Sequence, residues 1–228
     1  MKIIHLNSLA ATLDALSEIF FFGYSLSKSQ RAKIAKWIAG RQGLPGSYAK
    51  MFAPTEYDFK RGIRLFTGER IRSKAATGHI LGEEACRALI LLNVRSTDVQ
   101  VALQRATQGM LRRLAPSETR GRVRGMYCCG TCTGAYWRHL AVGGLKNSKR
   151  RLATGMKVSK MYRDGTGRWR RFPFYYTLLA LSEIDLPSAI AEIRYAAPVC
   201  EQYLKRSHSN DKISIRRRVL VERILKKC

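Results

Sequence analysis

The chain has 228 residues, 46% of them hydrophobic, with 42 Lys and Arg against 16 Asp and Glu, a net charge of +26 and a pI near 10.5. That apolar content is enough for one buried core and excludes a disordered polyelectrolyte. The charge excess repels itself and draws polyanions at long range, nucleic acid first and anionic membrane surfaces second; its bland alternative is a generically basic surface.

At the start, Leu6, Leu9, Leu13, Leu16 and Phe20 recur at three- and four-residue steps, a helical stripe. His5, Asn7, Asp14 and Glu18 interrupt the apolar run, so it reads as an amphipathic first helix and neither as a signal peptide nor as a transmembrane segment. Ser27 or Ser29 caps a second helix through Trp37 to about Gln42, ended by Gly43, Pro45 and Gly46. Residues 44–72 read as a long connection containing short helices. Helical spacing returns from Ser73 to Leu92 and from Val99 to Leu114, the latter with Asp98 at its start and Arg112 and Arg113 at its end, matching the helix macrodipole.

A basic loop (Arg120, Arg122, Arg124) leads into Tyr127 to about Val142. Lys149 to Tyr162 is helical, Asp164, Gly165 and Gly167 turn the chain, and Phe174 to Ile184 follows Pro173. Pro187 opens a helix through Leu204, and the basic C-terminal segment 205–228 carries a last helix from Ile213 to Lys227. No alternating run is long enough to demand a sheet, so the fold class is all-α in a single domain of 1–228.

Two stretches match each other. Gly125 to Leu140 (GMYCCGTCTGAYWRHL) lies over Gly167 to Ser182 (GRWRRFPFYYTLLALS), placing Tyr127 on Trp169 and Trp137 on Leu179. Trp37 to Tyr48 reads as a third, more distant helix-to-turn boundary. The unit is a helix, a Gly-rich turn with an aromatic residue, and a helix. MYRDGTGRWRRFPFYYTLLAL resembles a repeat of the prenyltransferase and terpenoid-cyclase α/α toroids, and the resemblance implies helical hairpins around a central cavity. It implies architecture alone: the chain has no Asp-rich acid motif, and no Asp, Cys and His zinc set falls on matching positions. A short helical solenoid is the alternative architecture.

Three sets of residues carry chemistry. Cys128, Cys129 and Cys132, with His139 farther along, offer soft ligands at metal-binding spacing for zinc. His79 or Cys86 is a candidate fourth ligand, and an iron–sulfur cluster would need Cys86 or Cys200 as the fourth thiolate. Against this stands free Cys as a small core hydrophobe. The uneven Cys spacing lacks a secreted disulfide framework and points to a reducing, cytoplasmic compartment. The second set, His79 and Glu83 with Cys86, falls at i, i+4 and i+7 of a helix. It is a candidate general acid–base pair, or a pair on a solvated helix face.

The third set is basic: Arg120, Arg122 and Arg124; Arg150, Arg151, Arg168, Arg170 and Arg171 among neighbouring Lys and aromatic residues; and Arg216, Arg217 and Arg218. Arg suits phosphate because its planar fork donates two bonds at once. Nucleic-acid binding through these clusters is the leading expectation, although no helix-turn-helix, zinc-finger, RNA-recognition or KH pattern is present. The alternative is a toroid-cavity enzyme, metal-dependent or not, acting on a small or lipid-like substrate. Nothing marks an ATP or NAD loop or a G-x-S-x-G nucleophile.

Overall fold

The structure, a computed structural model, describes residues 2–119, 125–206 and 209–228. It is all-α, with ten α-helices among the described residues and one two-stranded ribbon. The helices are α1 (Leu9–Phe22), α2 (Lys28–Ala39), α3 (Glu56–Arg61), α4 (Lys74–Leu92), α5 (Thr97–Thr119), α6 (Gly130–Ala141), α7 (Ser148–Met161), α8 (Phe174–Ser182), α9 (Pro187–Arg206) and α10 (Lys212–Leu225). The ribbon is β1 (Ile63–Arg64) and β2 (Arg70–Ile71), antiparallel. Two compact units form along the chain. The first comprises Met1–Leu65, Arg70–Arg122 and Gly144–Lys146; the second comprises Phe66–Glu69, Val123–Gly143 and Asn147–Cys228.

In the first unit α4 is the central element, packed by α1, α2, α3, α5 and a 3-10 turn at Tyr48–Lys50. It is buried on nearly every face from Thr77 to Leu89, charged residues included, so its weak amphipathic pattern reflects enclosure and not a solvated side. The buried carboxylate of Asp58 ties two helix starts together. It accepts from Ser8 Oγ (2.6 Å) and Leu9 N (2.9 Å) of the α1 start, and from Thr55 N (2.9 Å) at the α3 start. The expected connection at 44–72 contains α3 as anticipated, plus the ribbon, which helical periodicity does not announce. The helix-to-turn boundary expected at Trp37–Tyr48 is present: α2 ends at Ala39 and the chain turns toward the 3-10 turn at Tyr48–Lys50.

The second unit is a helical repeat. α6 packs on α8 and α8 on α10 in one layer, while α7 and α9 pack on each other and on that layer. The glycine turns that open the copies explain the arrangement. Gly125 and Gly167 both take left-handed backbone (φ 83° and 86°), which suits glycine because it lacks a Cβ. A Cβ on Gly125 would collide with Gly155 N and come within 2.5 Å of Arg151 O on α7. One on Gly167 would come within 2.7 Å of Val199 and 3.2 Å of Tyr195 O on α9. Arg151 and Gly155 stand the same distance along the chain after Gly130 as Tyr195 and Val199 after Phe174. Each copy therefore seats its glycine turn against the same register of its own following helix. The second turn is two residues longer, so glycines and helices cannot be aligned with one offset.

Buried polar groups close the copies. Trp137 Nε1 donates to Gly125 O (2.6 Å), and Trp169 Nε1 donates to Glu192 (2.8 Å), which also receives Arg163 (2.9 Å). Arg138 grips Glu183 with two bonds of 2.9 Å. The two helices expected at the C-terminal end are present: α9 runs to Arg206, and α10 starts at Lys212 behind the Asp211 cap, whose carboxylate takes Ile213 N (2.9 Å) and Ser214 N (3.1 Å). Among the described residues, no helix is long and apolar enough to cross a membrane.

Candidate functional site

Cys128, Cys129 and Cys132 stand at the start of α6 in the second unit. Cys129 is the residue that caps the helix: its backbone is extended and its Sγ accepts from Cys132 N at 3.5 Å. Thr133 Oγ1 bonds Cys129 O (2.7 Å) and takes Tyr127 N (2.9 Å), which fixes the entering strand of chain. The sulfurs of Cys128 and Cys132 lie within 4.8 Å of each other. Cys128 and Cys129 are exposed and Cys132 is buried.

Their protonation is unequal. The Cys128 and Cys132 thiols donate to Cys129, and the amides of Cys132 and Thr131 add to this, so the Cys129 thiol is held well below its ordinary value. The same donation raises Cys128, and together with burial raises Cys132. His139 is buried, two turns farther along α6.

His79, Glu83 and Cys86 belong to α4 in the first unit. His79 Nε2 meets Glu83 Oε1 at 3.2 Å, with the two side chains 1% and 0% exposed, and the Tyr48 ring lies against the imidazole at 4.7 Å. The spacing thus produces the expected pair, but in the interior and not on a wetted face. Burial, followed by the Glu83 charge, pushes the Cys86 thiol well up, so Cys86 is held as a neutral thiol.

The basic residues divide. Arg150, Arg168, Arg170 and Arg171 are exposed, and Arg151 is half-buried with a bond to Tyr136 (3.2 Å). Arg168 lies over the Phe174 ring at 4.4 Å, and Arg171 donates to Tyr162 (3.2 Å). None of Lys149, Arg150, Lys157, Lys160, Arg168, Arg170 and Arg171 forms an ion pair among the described residues. Gly130 at the head of α6 abuts the Arg171 carbonyl, which sets this basic turn beside the thiols.

Arg216 has a different task from the one its run suggests. It is 3% exposed, donates to Phe66 O (3.1 Å) and lies over the Phe66 ring, so it is a structural cation. Arg217 is half-buried, bonding Thr67 O (2.7 Å) over the Tyr175 ring, and Arg218 donates to Ser209 O (3.0 Å). Arg120, Arg122 and Arg124 lie outside the described residues.

A basic site that the sequence reading passes over stands on the ribbon. Arg61, Arg64, Arg70 and Arg72 are exposed around a cavity of about 360 Å³ in the first unit. Arg64 and Arg70 are direct cross-strand partners, as are Ile63 and Ile71. The signal was present in RGIRLFTGERIR, two Ile-Arg dipeptides flanking a Thr-Gly turn.

Comparison with protein-family models, with curated proteins and with solved structures finds no match to this chain.

Proposed function

We propose that the protein binds nucleic acid through its phosphates. The observation that carries this reading is the Arg64–Arg70 pair on the rim of the four-arginine cavity. A phosphate seated among these exposed arginines takes charge-assisted bonds from more than one guanidinium at once. The exposed Arg and Lys of α7 and the turn before α8 supply further phosphate contacts, and Arg168 and Arg171 already lie against aromatic rings. Contacts of this kind position a strand without reading its bases, in keeping with a chain that carries no base-reading motif.

The test is a fluorescence-anisotropy titration of the full chain against single-stranded RNA, single-stranded DNA, duplex DNA and vesicles containing phosphatidylserine, all at low salt. Binding to at least one nucleic acid, competed by inorganic polyphosphate and weakened by Arg64→Ala with Arg70→Ala, is the expected result. Binding to the vesicles alone, or to nothing, would overturn the reading.

A further inference from the structure

The four-arginine cavity on the ribbon is more selective than phosphate contact alone requires. Resting on the phosphate binding proposed above, we infer that it is the site for the terminal phosphate chain of a nucleic-acid strand, a 5′ triphosphate being the group its charge suits best.

The alternation of the ribbon gathers the arginines. Ile63 is buried and its cross-strand partner Ile71 half-buried, so Arg64, Arg70 and Arg72, their neighbours in sequence, turn to the opposite, exposed side. Arg61 arrives from the end of α3. Gly62 makes that approach possible: its φ is 67°, and a Cβ there would stand 2.7 Å from Ile71 O, a main-chain atom.

The lining decides the class of ligand. It holds four Arg, two Ile and one Gly, with no acid, no hydroxyl, no aromatic ring and no amide side chain to read a base. The acids of this segment are engaged elsewhere. Glu56 pairs with Lys60 (2.7 Å), Asp58 holds the starts of α1 and α3, and Glu69 accepts from Thr67 Oγ1 and from Tyr176 N (3.1 Å). The arginine charge is left for an anion from outside, and a cleft lined by one sign of charge focuses its field there. A volume of about 360 Å³ is at the small end of ligand pockets, which run to about 1,000 Å³, and suits a phosphate chain without its nucleoside.

Strand interiors and strand ends offer different groups to such a cavity. An internal phosphodiester carries one charge and is held between two sugars, so it lies across the mouth. A terminal phosphate has three free oxygens and carries about −1.5 to −2. A triphosphate adds about one charge for each further phosphate and enters end-on. Four guanidinium groups, each able to donate two bonds at once, match that concentrated charge.

The experiment is an anisotropy titration of the full chain with one single-stranded RNA, labelled at its 3′ end and carrying a 5′ hydroxyl, monophosphate or triphosphate. A further RNA keeps the 5′ hydroxyl and is lengthened by as many nucleotides as the triphosphate adds phosphates. Affinity should rise from hydroxyl to monophosphate to triphosphate, by about tenfold or more overall, the worth of one charge-assisted contact. The lengthened RNA should stay near the hydroxyl value. Arg61→Ala with Arg72→Ala should bring the triphosphate and hydroxyl affinities close to parity. Arg194→Ala with Lys205→Ala, which removes as many exposed charges from α9, should leave their ratio unchanged. Should the first pair fail to fold, the unaltered chain decides alone, through the triphosphate RNA set against the lengthened one. Equal binding of hydroxyl and triphosphate RNA overturns the strand-end site while phosphate binding stands. A lengthened RNA that matches the triphosphate RNA also overturns it. So does displacement of the triphosphate RNA by an equal concentration of free nucleoside triphosphate, which would make the cavity a nucleotide pocket.

Discussion

Gly125→Ala is the substitution from which the repeat architecture has most to lose. Two costs add at this position. The first is backbone: φ is 83°, and a residue with a Cβ in the left-handed region is strained by about 1–2 kcal/mol. The second is space: the new Cβ would collide with Gly155 N and sit 2.5 Å from Arg151 O, both main-chain atoms of α7 that cannot swing aside. Forcing α7 outward belongs with overpacking of a close-packed interior, about 1–3 kcal/mol. The sum is about 2–5 kcal/mol. Gly143 supplies the control, since its φ is 78° but a Cβ there meets nothing within 4 Å. Gly143→Ala should therefore cost only the backbone share, about 1–2 kcal/mol. Urea unfolding followed by tryptophan fluorescence gives both values. If the two variants lose the same stability, the seating of the turn on α7 does not hold the repeat together and the argument fails.

Glu192→Ala should cost about 3 kcal/mol or more by urea unfolding, because it strips a buried carboxylate from both Arg163 and Trp169; Glu192→Gln should cost clearly less. Arg70→Thr should weaken oligonucleotide binding and make its log–log salt slope shallower by about 1, as loss of one phosphate contact requires. Asp164, whose carboxyl is held down to about 2 chiefly by the Thr166 amide, stabilises its turn above the ordinary carboxyl value near 3.9 and loses that contribution as pH falls toward about 2. Accordingly the stability difference between the native chain and Asp164→Asn, measured by unfolding at successive pH, should shrink across that window and be constant above it.

Much of this fold was legible because short-range rules fix it. The Leu stripe gave α1, although Leu6 lies before the helix and is exposed. Pro187 and Phe174 stood where helices begin, and the two glycine–aromatic turns matched on inspection. The extra pair of residues in the second turn was hidden, since only packing against α7 and α9 shows which positions correspond.

Charge was the least legible quantity. A run of three Arg on a helix presents them to different directions, and Arg216 of that run points inward to Phe66. Arg61, Arg64, Arg70 and Arg72 look scattered until β1 and β2 pair. On α4, the i, i+4 spacing of His79 and Glu83 foretold their contact, whereas their burial depends on α4 being enclosed on all sides, which no local pattern encodes.

Salt dependence tests the central claim of phosphate binding most directly. With six or more phosphates contacted, the affinity for a single-stranded oligonucleotide should fall with a log–log slope of about −5 or steeper. Replacing both Arg64 and Arg70 by Thr should make that slope shallower by about 2, since each lost phosphate contact removes close to one counterion. A slope near zero in the unaltered chain, or one that the double replacement leaves unchanged, would contradict the account.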